Sequence, residues 1–411
     1  MVAWQALPAV FPSQGKNIGG LETAAWQFAV GLARQSDWHV QFVVRSPTKR
    51  RRCVVDGVEL IPVTDRWLAM RRQVSQCIDV PARRITRWRP RLLWQIPLLA
   101  CSWPLRPRDV TGFQPDPRLR AIDSDVWVAW GVSRESAAVI STAQATAKPA
   151  VLMIRSAADL SAAFAGDEAD TTSPYGEPPE ACRHAITQAS TIVCQAAYQQ
   201  RLLEQRFGRS GELIRNGIDL QVWQPQDRST DEVLWVGRYE TFHKRIDQAI
   251  AIARTCPDIP FRLIANASDA NTEAAVRADL PANVTLTDYV PHDQMPAMFA
   301  AARVFLSTGS AAYEGFPNVL LQAAATATPI VSLEDFDDFI VRSQSGIVCG
   351  PNGQAAAAAI QQFWNRTRTL DAAHVRDYLQ QHHDRPRVID QLACLLAGVV
   401  EPEDFAHSAG R

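Results

Sequence analysis

Short runs of consecutive apolar residues alternate along this chain with stretches in which apolar residues recur every three or four positions. The first pattern marks strands buried on both faces, the second helices with one apolar side. Residues 2–7 are a short apolar run and predict a strand. Residues 8–20 are rich in Pro, Gly, Ser and Asn and predict a loop. Leu21, Ala24, Ala25, Phe28 and Leu32 predict a helix over 21–34, and the run WHVQFVV a strand over 38–44. Together these form a βαβ unit, which implies a parallel sheet. The pattern dissolves over residues 64–120, which are rich in Arg, Trp and Pro. It resumes with strands at 126–130, 150–154 and 191–194, and with helices at 180–189 and 195–207, the second ended by Gly208. A second series follows after residues 215–230. Its strands are expected at 233–236, 261–265, 284–286, 304–306 and 330–333, and its helices at 245–254, 295–301 and 318–327. The Ala-rich run 355–359 and the stretch 371–399 read as further helices. Two alternating series predict two Rossmann-like α/β domains facing a cleft, with no solenoid period.

Composition narrows the class. A chain of 411 residues has room for two or three domains. Apolar residues at 47% and charged residues at 21% are ordinary for a globular protein and exclude a mainly disordered chain. No apolar run reaches the ~18 residues of a membrane-spanning helix. The opening MVAWQALPAVFP lacks the basic start and long apolar centre of a secretory signal. The eight cysteines form no C-x-x-C pair and no zinc-ligand spacing, so a reducing, cytoplasmic setting is expected, with no metal. Net charge is −1, yet residues 45–120 carry 17 Lys and Arg against 6 Asp and Glu. That asymmetry points to an anionic partner for the N-terminal half.

The segment richest in chemistry is residues 307–331, STGSAAYEGFPNVLLQAAATATPIV. A strand ends, a loop of small residues follows, and Glu314 and Gly315 sit just before a helix with Asn318 near its start. Ligands of open α/β sheets bind at the carboxyl ends of strands. The free N–H groups of a helix start favour anions such as a diphosphate. A carboxylate there can accept hydrogen bonds from sugar hydroxyls. Gln322, on the second turn, could reach the same cleft. Taken alone, the same residues also fit a helix start whose acid offsets the dipole.

This segment resembles the signature of the family 4 retaining glycosyltransferases of the GT-B fold. Glu314-Gly315-Phe316, then Gln322, then Thr328-Pro329-Ile330-Val331 follow the family order E-G-F, acid, G-x-P-V-V. The resemblance implies that Glu314 contacts hydroxyls of the donor sugar. It places Gln322, in place of the usual second acid, at the nucleotide ribose. Residues 233–244, VLWVGRYETFHK, resemble the element whose Arg and Lys neutralise the donor diphosphate, here Arg238 and Lys244. Such cations stabilise charge that grows on the leaving group without a metal. Residues 213–225, LIRNGIDLQVWQP, resemble the interdomain linker, although Asn216-Gly217 is a turn dipeptide in any fold. Gly19-Gly20-Leu21-Glu22 resembles the glycine-rich N-terminal loop, where backbone can approach a ligand closely. Many family members carry a His after an N-domain strand. Here the matching residues 151–157 offer Arg155, either a substitute donor-site cation or a surface Arg.

The implied protein is an α/β enzyme of GT-B architecture, two Rossmann-like domains with parallel sheets facing an interdomain cleft. Residues 1–215 would form the acceptor side and 216–380 the donor side. Residues 381–411 would hold a helix crossing back to the first domain, and a tail. The activity would be hexosyl transfer from a nucleotide-diphosphate sugar to an acceptor hydroxyl with retention, in polysaccharide or glycoconjugate synthesis. Glu314, Arg238 and Lys244 would be catalytic. Gly315, Phe316, Asn318, Gln322, Gly19, Gly20 and Arg155 would bind the donor, with no cofactor and no metal. The acceptor would be a sugar or a lipid-linked sugar. Alternatives are a nucleotide-sugar epimerase, a glycoside phosphorylase, or a non-catalytic sugar-nucleotide-binding protein. Asp123-Ser124-Asp125 and Asp335-Phe336-Asp337 match the D-x-D metal motif, but the first precedes its strand and the second lies beyond a complete donor site. The run His243-Lys244-Arg245 fits either phosphate or a solvated helix start. The Arg and Trp residues of 45–120 suit an anionic membrane surface at the inner face or a plain solvated insertion. No nucleic-acid motif accompanies them, and no nucleic-acid partner is expected.

Overall fold

The computed structural model describes residues 1–11, 19–64, 68–75, 77–79, 84–102, 113–166, 176–226 and 230–400. Its uninterrupted apolar runs become strands buried on both faces of two sheets. In the first, β1 (Gln41–Ser46), β2 (Cys53–Val55) and β3 (Val58–Thr64) pair in the order β1-β3-β2. The short strands β4 (Ile78–Asp79) and β5 (Arg84–Ile85) form a separate antiparallel ribbon. Strands β6 (Trp127–Trp130), β7 (Ala150–Met153), β8 (Thr191–Cys194) and β9 (Glu212–Leu213) continue in sequence order. Val2 joins the two sets, pairing in parallel with Val43 of β1 and Ala129 of β6.

The second sheet holds β10 (Val233–Arg238), β11 (Phe261–Asn266), β12 (Val284–Thr287), β13 (Val304–Ser307), β14 (Ile330–Ser332) and β15 (Gly346–Val348). Their order is β12-β11-β10-β13-β14-β15, and every pairing is parallel. Helices cover both faces of each sheet. One layer of the first sheet sets Phe42, Val44 and Val128 against Ala25, Phe28 and Leu32 of the helix Gly20–Ala33. The final helix, Arg385–Val400, packs into that same layer through Val388, Ile389, Leu392 and Leu396. Gly31 permits the approach, since a Cβ there would lie 2.2 Å from the Ile389 side chain.

Several expectations are corrected. Residues 2–7 do not form a full strand: Val2 alone makes bridges, one to Val43 and one to Ala129, and Leu7–Val10 turns into helix. Pro8 explains this, because it cannot donate to a ladder and its φ suits a first helical turn. Residues 53–64, left unassigned by the apolar pattern, form a hairpin through Asp56 and Gly57, both at positive φ. Asp-Gly is a favoured two-residue hairpin turn. The helix Arg134–Ala145 was also unpredicted. It is buried continuously from Ser136 to Ala143, so no amphipathic stripe marks it. The stretch 371–399 divides into Ala372–His382 and Arg385–Val400. The break arises where Ile218 N–H donates to the His383 carbonyl and Arg385 N–H to the Ile218 carbonyl, at 2.8 and 3.1 Å.

His383 is buried at this break. Its Nδ1 lies 2.9 Å from the Asn216 carbonyl, and its ring stacks on Phe316. Burial lowers its pKa from 6.5 to about 4; the Asn216 bond opposes the shift and the charge of Arg215 adds to it. A depressed histidine confers stability that is complete above its unfolded pKa and declines as pH falls through the folded one. His383→Gln keeps a donor for the Asn216 carbonyl. It should therefore show a smaller loss of urea midpoint than the parent protein as pH falls from 6.5 toward 4. Equal losses would show that another group is responsible.

Candidate active site

The order of the second sheet creates a crevice. From β10 the chain proceeds outward through β11 and β12, then returns to place β13 on the other side of β10. The helices that follow β10 and β13, Ile246–Arg254 and Asn318–Ala325, therefore cover opposite faces, and ligands of open α/β sheets bind at such a switch point. The first sheet does the same about the Val2 segment, with β1 and β3 to one side and β6 to β8 to the other. Residues from both sheets line one cleft of about 1320 Å³, among them Gly19, Gly20, Arg155, Arg238, Lys244, Glu314 and Gln322.

Thr308, just past β13, ties the two loops together. Its hydroxyl accepts from Trp235 Nε1 at 2.8 Å and donates to the Lys244 carbonyl at 2.6 Å. Arg245 braces the same junction, its Nη2 donating to the Gly309 carbonyl at 2.7 Å and pairing with Glu334 at 3.1 Å. Of the three basic residues in the run, Arg245 is thus structural, whereas His243 and Lys244 face the buried Glu314.

Glu314 sits at the centre of the charges. Lys244 Nζ donates to Glu314 Oε1, and His243 Nε2 lies 3.2 Å from the same oxygen. Burial pushes the Glu314 carboxyl up, but the Lys244 charge, then the bond and charge of His243, outweigh it and hold the carboxyl at about 2. Arg238 extends the cluster. Its Nε donates to Glu240 Oε1 at 3.0 Å, and its Nη2 lies 3.0 Å from His243 Nδ1. The sequence singled out Glu314, Lys244 and Arg238 separately; the structure joins them through His243 and Glu240. Of these two partners, His243 already stood in the basic run 243–245, whereas nothing in the sequence spacing signalled Glu240.

Asn318 opens the helix Asn318–Ala325, and Gln322 lies one turn further along it at the cleft wall. Gly20 opens the helix Gly20–Ala33 opposite, and a Cβ on Gly20 would be 3.7 Å from Asn318 Nδ2. Two helix N-termini therefore converge, which concentrates positive potential in the cleft. Gly19 lies under the Glu22 carboxylate. Phe316 belongs to the same wall, but its ring is buried between Phe339 and His383 and fixes the loop.

Arg155 follows β7 at the seam between the sheets. Its Nη2 donates to Asn216 Oδ1 at 2.9 Å, and its guanidinium lies 5.3 Å over the Trp130 ring. Burial lowers its pKa to about 10, against the opposing charge of Asp159. Asp159 accepts from Arg155 N–H and Ser156 N–H at 2.7 and 3.0 Å, and burial raises its pKa to about 6. Asn216 is the residue the sequence undervalued. Beyond Arg155, its Nδ2 donates to the Phe316 carbonyl at 3.1 Å and to Asn318 Oδ1 at 2.8 Å. The turn propensity of Asn-Gly concealed that role.

Of the two D-x-D matches, Asp337 accepts from Ala197 N–H at 2.9 Å and pairs with Arg215. Asp125 lies outside the cleft and pairs with Lys148 at 3.4 Å. Among the described residues no group of three or more His, Cys, Asp or Glu side chains is placed to hold a metal.

Residues 230–366 match the family described as Glycosyl transferases group 1. None of the curated proteins compared with the chain matches it significantly. Among solved structures, sucrose-phosphate synthase from Thermosynechococcus elongatus superposes with a TM-score of 0.68 at 16% identity, covering 98% of both chains. Anabaena HepE, solved with UDP and glucose, gives 0.64 at 15% identity, covering 96% of this chain and 98% of its own. The fold is GT-B. With a group 1 domain over its second sheet, the chain is a glycosyltransferase.

Gly315 owes its identity to the seam. A Cβ there would lie 1.7 Å from Gln195 Nε2 and 2.4 Å from the Arg155 carbonyl oxygen, which is backbone. Gly315→Ala should cost about 1–3 kcal/mol, the scale of an overpacked interior. Urea unfolding with an activity assay would read both effects; an unchanged midpoint would show that the seam can yield.

Proposed function

We propose that this chain transfers a sugar from a nucleotide-diphosphate sugar to an acceptor hydroxyl, with retention of configuration and without a metal. The carrying observation is the linked cluster of Glu314, His243, Lys244 and Arg238 at the switch point of the second sheet, beside the helix start at Asn318. The group 1 domain spans all of these residues.

The chemistry follows from charge. A departing diphosphate gains negative charge as the glycosidic bond breaks, and cations already in place stabilise it. Lys244 and Arg238 supply them, and the Asn318 helix start adds N–H donors. An arriving diphosphate competes with Glu314 for Lys244. As Lys244 turns to phosphate, the Glu314 carboxylate is released to accept hydrogen bonds from sugar hydroxyls. Donor binding and sugar recognition are thereby coupled through one ion pair. Gln322 offers its amide to the ribose, and Arg155 borders the sugar end of the cleft. The proposed reaction uses no side-chain nucleophile: the departing phosphate oxygen takes the acceptor proton on the face it leaves. Closure of the cleft excludes water from the sugar cation.

HepE was solved with UDP-glucose, which makes uridine donors the first to test. The acceptor is a sugar or a lipid-linked sugar, and the product a polysaccharide or glycoconjugate. Epimerisation would need no acceptor, and phosphorolysis would need free phosphate, so product analysis separates both from transfer.

Glu314→Ala and Arg238→Ala should each lower the transfer rate at least ~100-fold, the scale of losing a key electrostatic group. Losses under about tenfold in both would remove this site assignment.

A further inference from the structure

The helix Leu92–Cys101, LLWQIPLLAC, turns its apolar side chains outward. Only Leu92 and Gln95 are buried, and Gln95 Nε2 is bonded to Gln73 Oε1 at 2.8 Å. Leu93 is 68% exposed and Trp94 52%, and Ile96 and Leu98 are exposed beside them. Just before the helix, Ile85 and Trp88 are also exposed, with exposed Arg87, Arg89 and Arg91 among them. Residues 80–108 contain seven Arg and no Asp or Glu.

We propose that this face docks on the surface of an anionic phospholipid bilayer. Three features select that partner. The helix is about 15 Å long, half the thickness of a bilayer core, so it fits in the interface plane and cannot cross. Aliphatic side chains at its centre suit the acyl boundary, and Trp88 and Trp94 suit the headgroup level, where an apolar ring with one polar N–H is favoured. The Arg fringe complements anionic headgroups. A second copy of the chain fits less well, because a two-fold contact would set the Arg fringe against itself. Single-stranded nucleic acid would use stacking rings, and most of the exposed apolar residues here are aliphatic. The segment leaves the first sheet at the carboxyl end of β3, the edge that also bounds the cleft. This inference does not rest on the proposed reaction, and its test needs no turnover.

The test is flotation of the full chain with vesicles of phosphatidylcholine, alone or mixed with phosphatidylglycerol. Partition should be at least ~10-fold stronger into the anionic mixture and should weaken with salt. Leu93→Glu with Leu98→Glu should abolish it at an unchanged melting temperature, since both side chains already face solvent. Arg87→Gln with Arg89→Gln and Arg91→Gln should erase the preference for anionic vesicles. No flotation, equal partition into both vesicles, or flotation unaffected by the double Glu variant would overturn the proposal. So would sedimentation showing that the same face holds two chains together, or displacement of the vesicles by an oligonucleotide.

Discussion

The four carbonyls of residues 313–316 all accept hydrogen bonds from groups between residues 156 and 216. Ser156 Oγ reaches Tyr313, Ala157 N–H reaches Glu314, and Asn216 Nδ2 reaches Phe316. The Tyr198 hydroxyl lies 2.9 and 3.0 Å from the carbonyls of Glu314 and Gly315. This loop is the seam between the two halves of the molecule, and it carries the acid at the heart of the site. Polar backbone buried between two layers must find partners or lose stability. Here the partners come from the opposite half, so the position of Glu314 depends on both sheets. Gly315 is required because nothing larger fits between the loop and the Arg155 backbone.

Burial of Glu314 also governs the electrostatics. A carboxylate out of water is tolerated only with close counter-charge. Lys244 and His243 provide it, and Arg238 and Glu240 continue the chain of contacts outward. The groups suited to binding a diphosphate are thus the groups that keep the acid ionised. In the proposed reaction an incoming diphosphate and the carboxylate would share one set of cations, which would link donor affinity to release of the Glu314 carboxylate.

Much of this was legible in the sequence. Apolar runs located most strands of both sheets, and the E-G-F segment with its helix start pointed to the candidate site. Local pattern fails where burial is uniform, as in Arg134–Ala145, or where turn chemistry outranks hydrophobicity, as at Asp56-Gly57. It fails more deeply for partners distant in the chain. Lys244 and Glu314 are 70 residues apart, and Ser156 and Tyr313 are 157 apart. Nothing in either neighbourhood announces the other. Asn216 illustrates the point: its sequence context is that of a turn, while its side chain joins Arg155, Phe316 and Asn318.

The most direct measurement is thermal unfolding of the chain with UDP-, GDP- and ADP-sugars in the presence of EDTA. A ligand that binds only the folded state stabilises it in proportion to RT ln(1 + [L]/Kd). One base class should raise the melting temperature without metal, and Lys244→Ala should remove that rise. No shift with any donor, or a shift that appears only when a divalent cation is restored, would contradict a donor site built from Glu314, His243, Lys244 and Arg238.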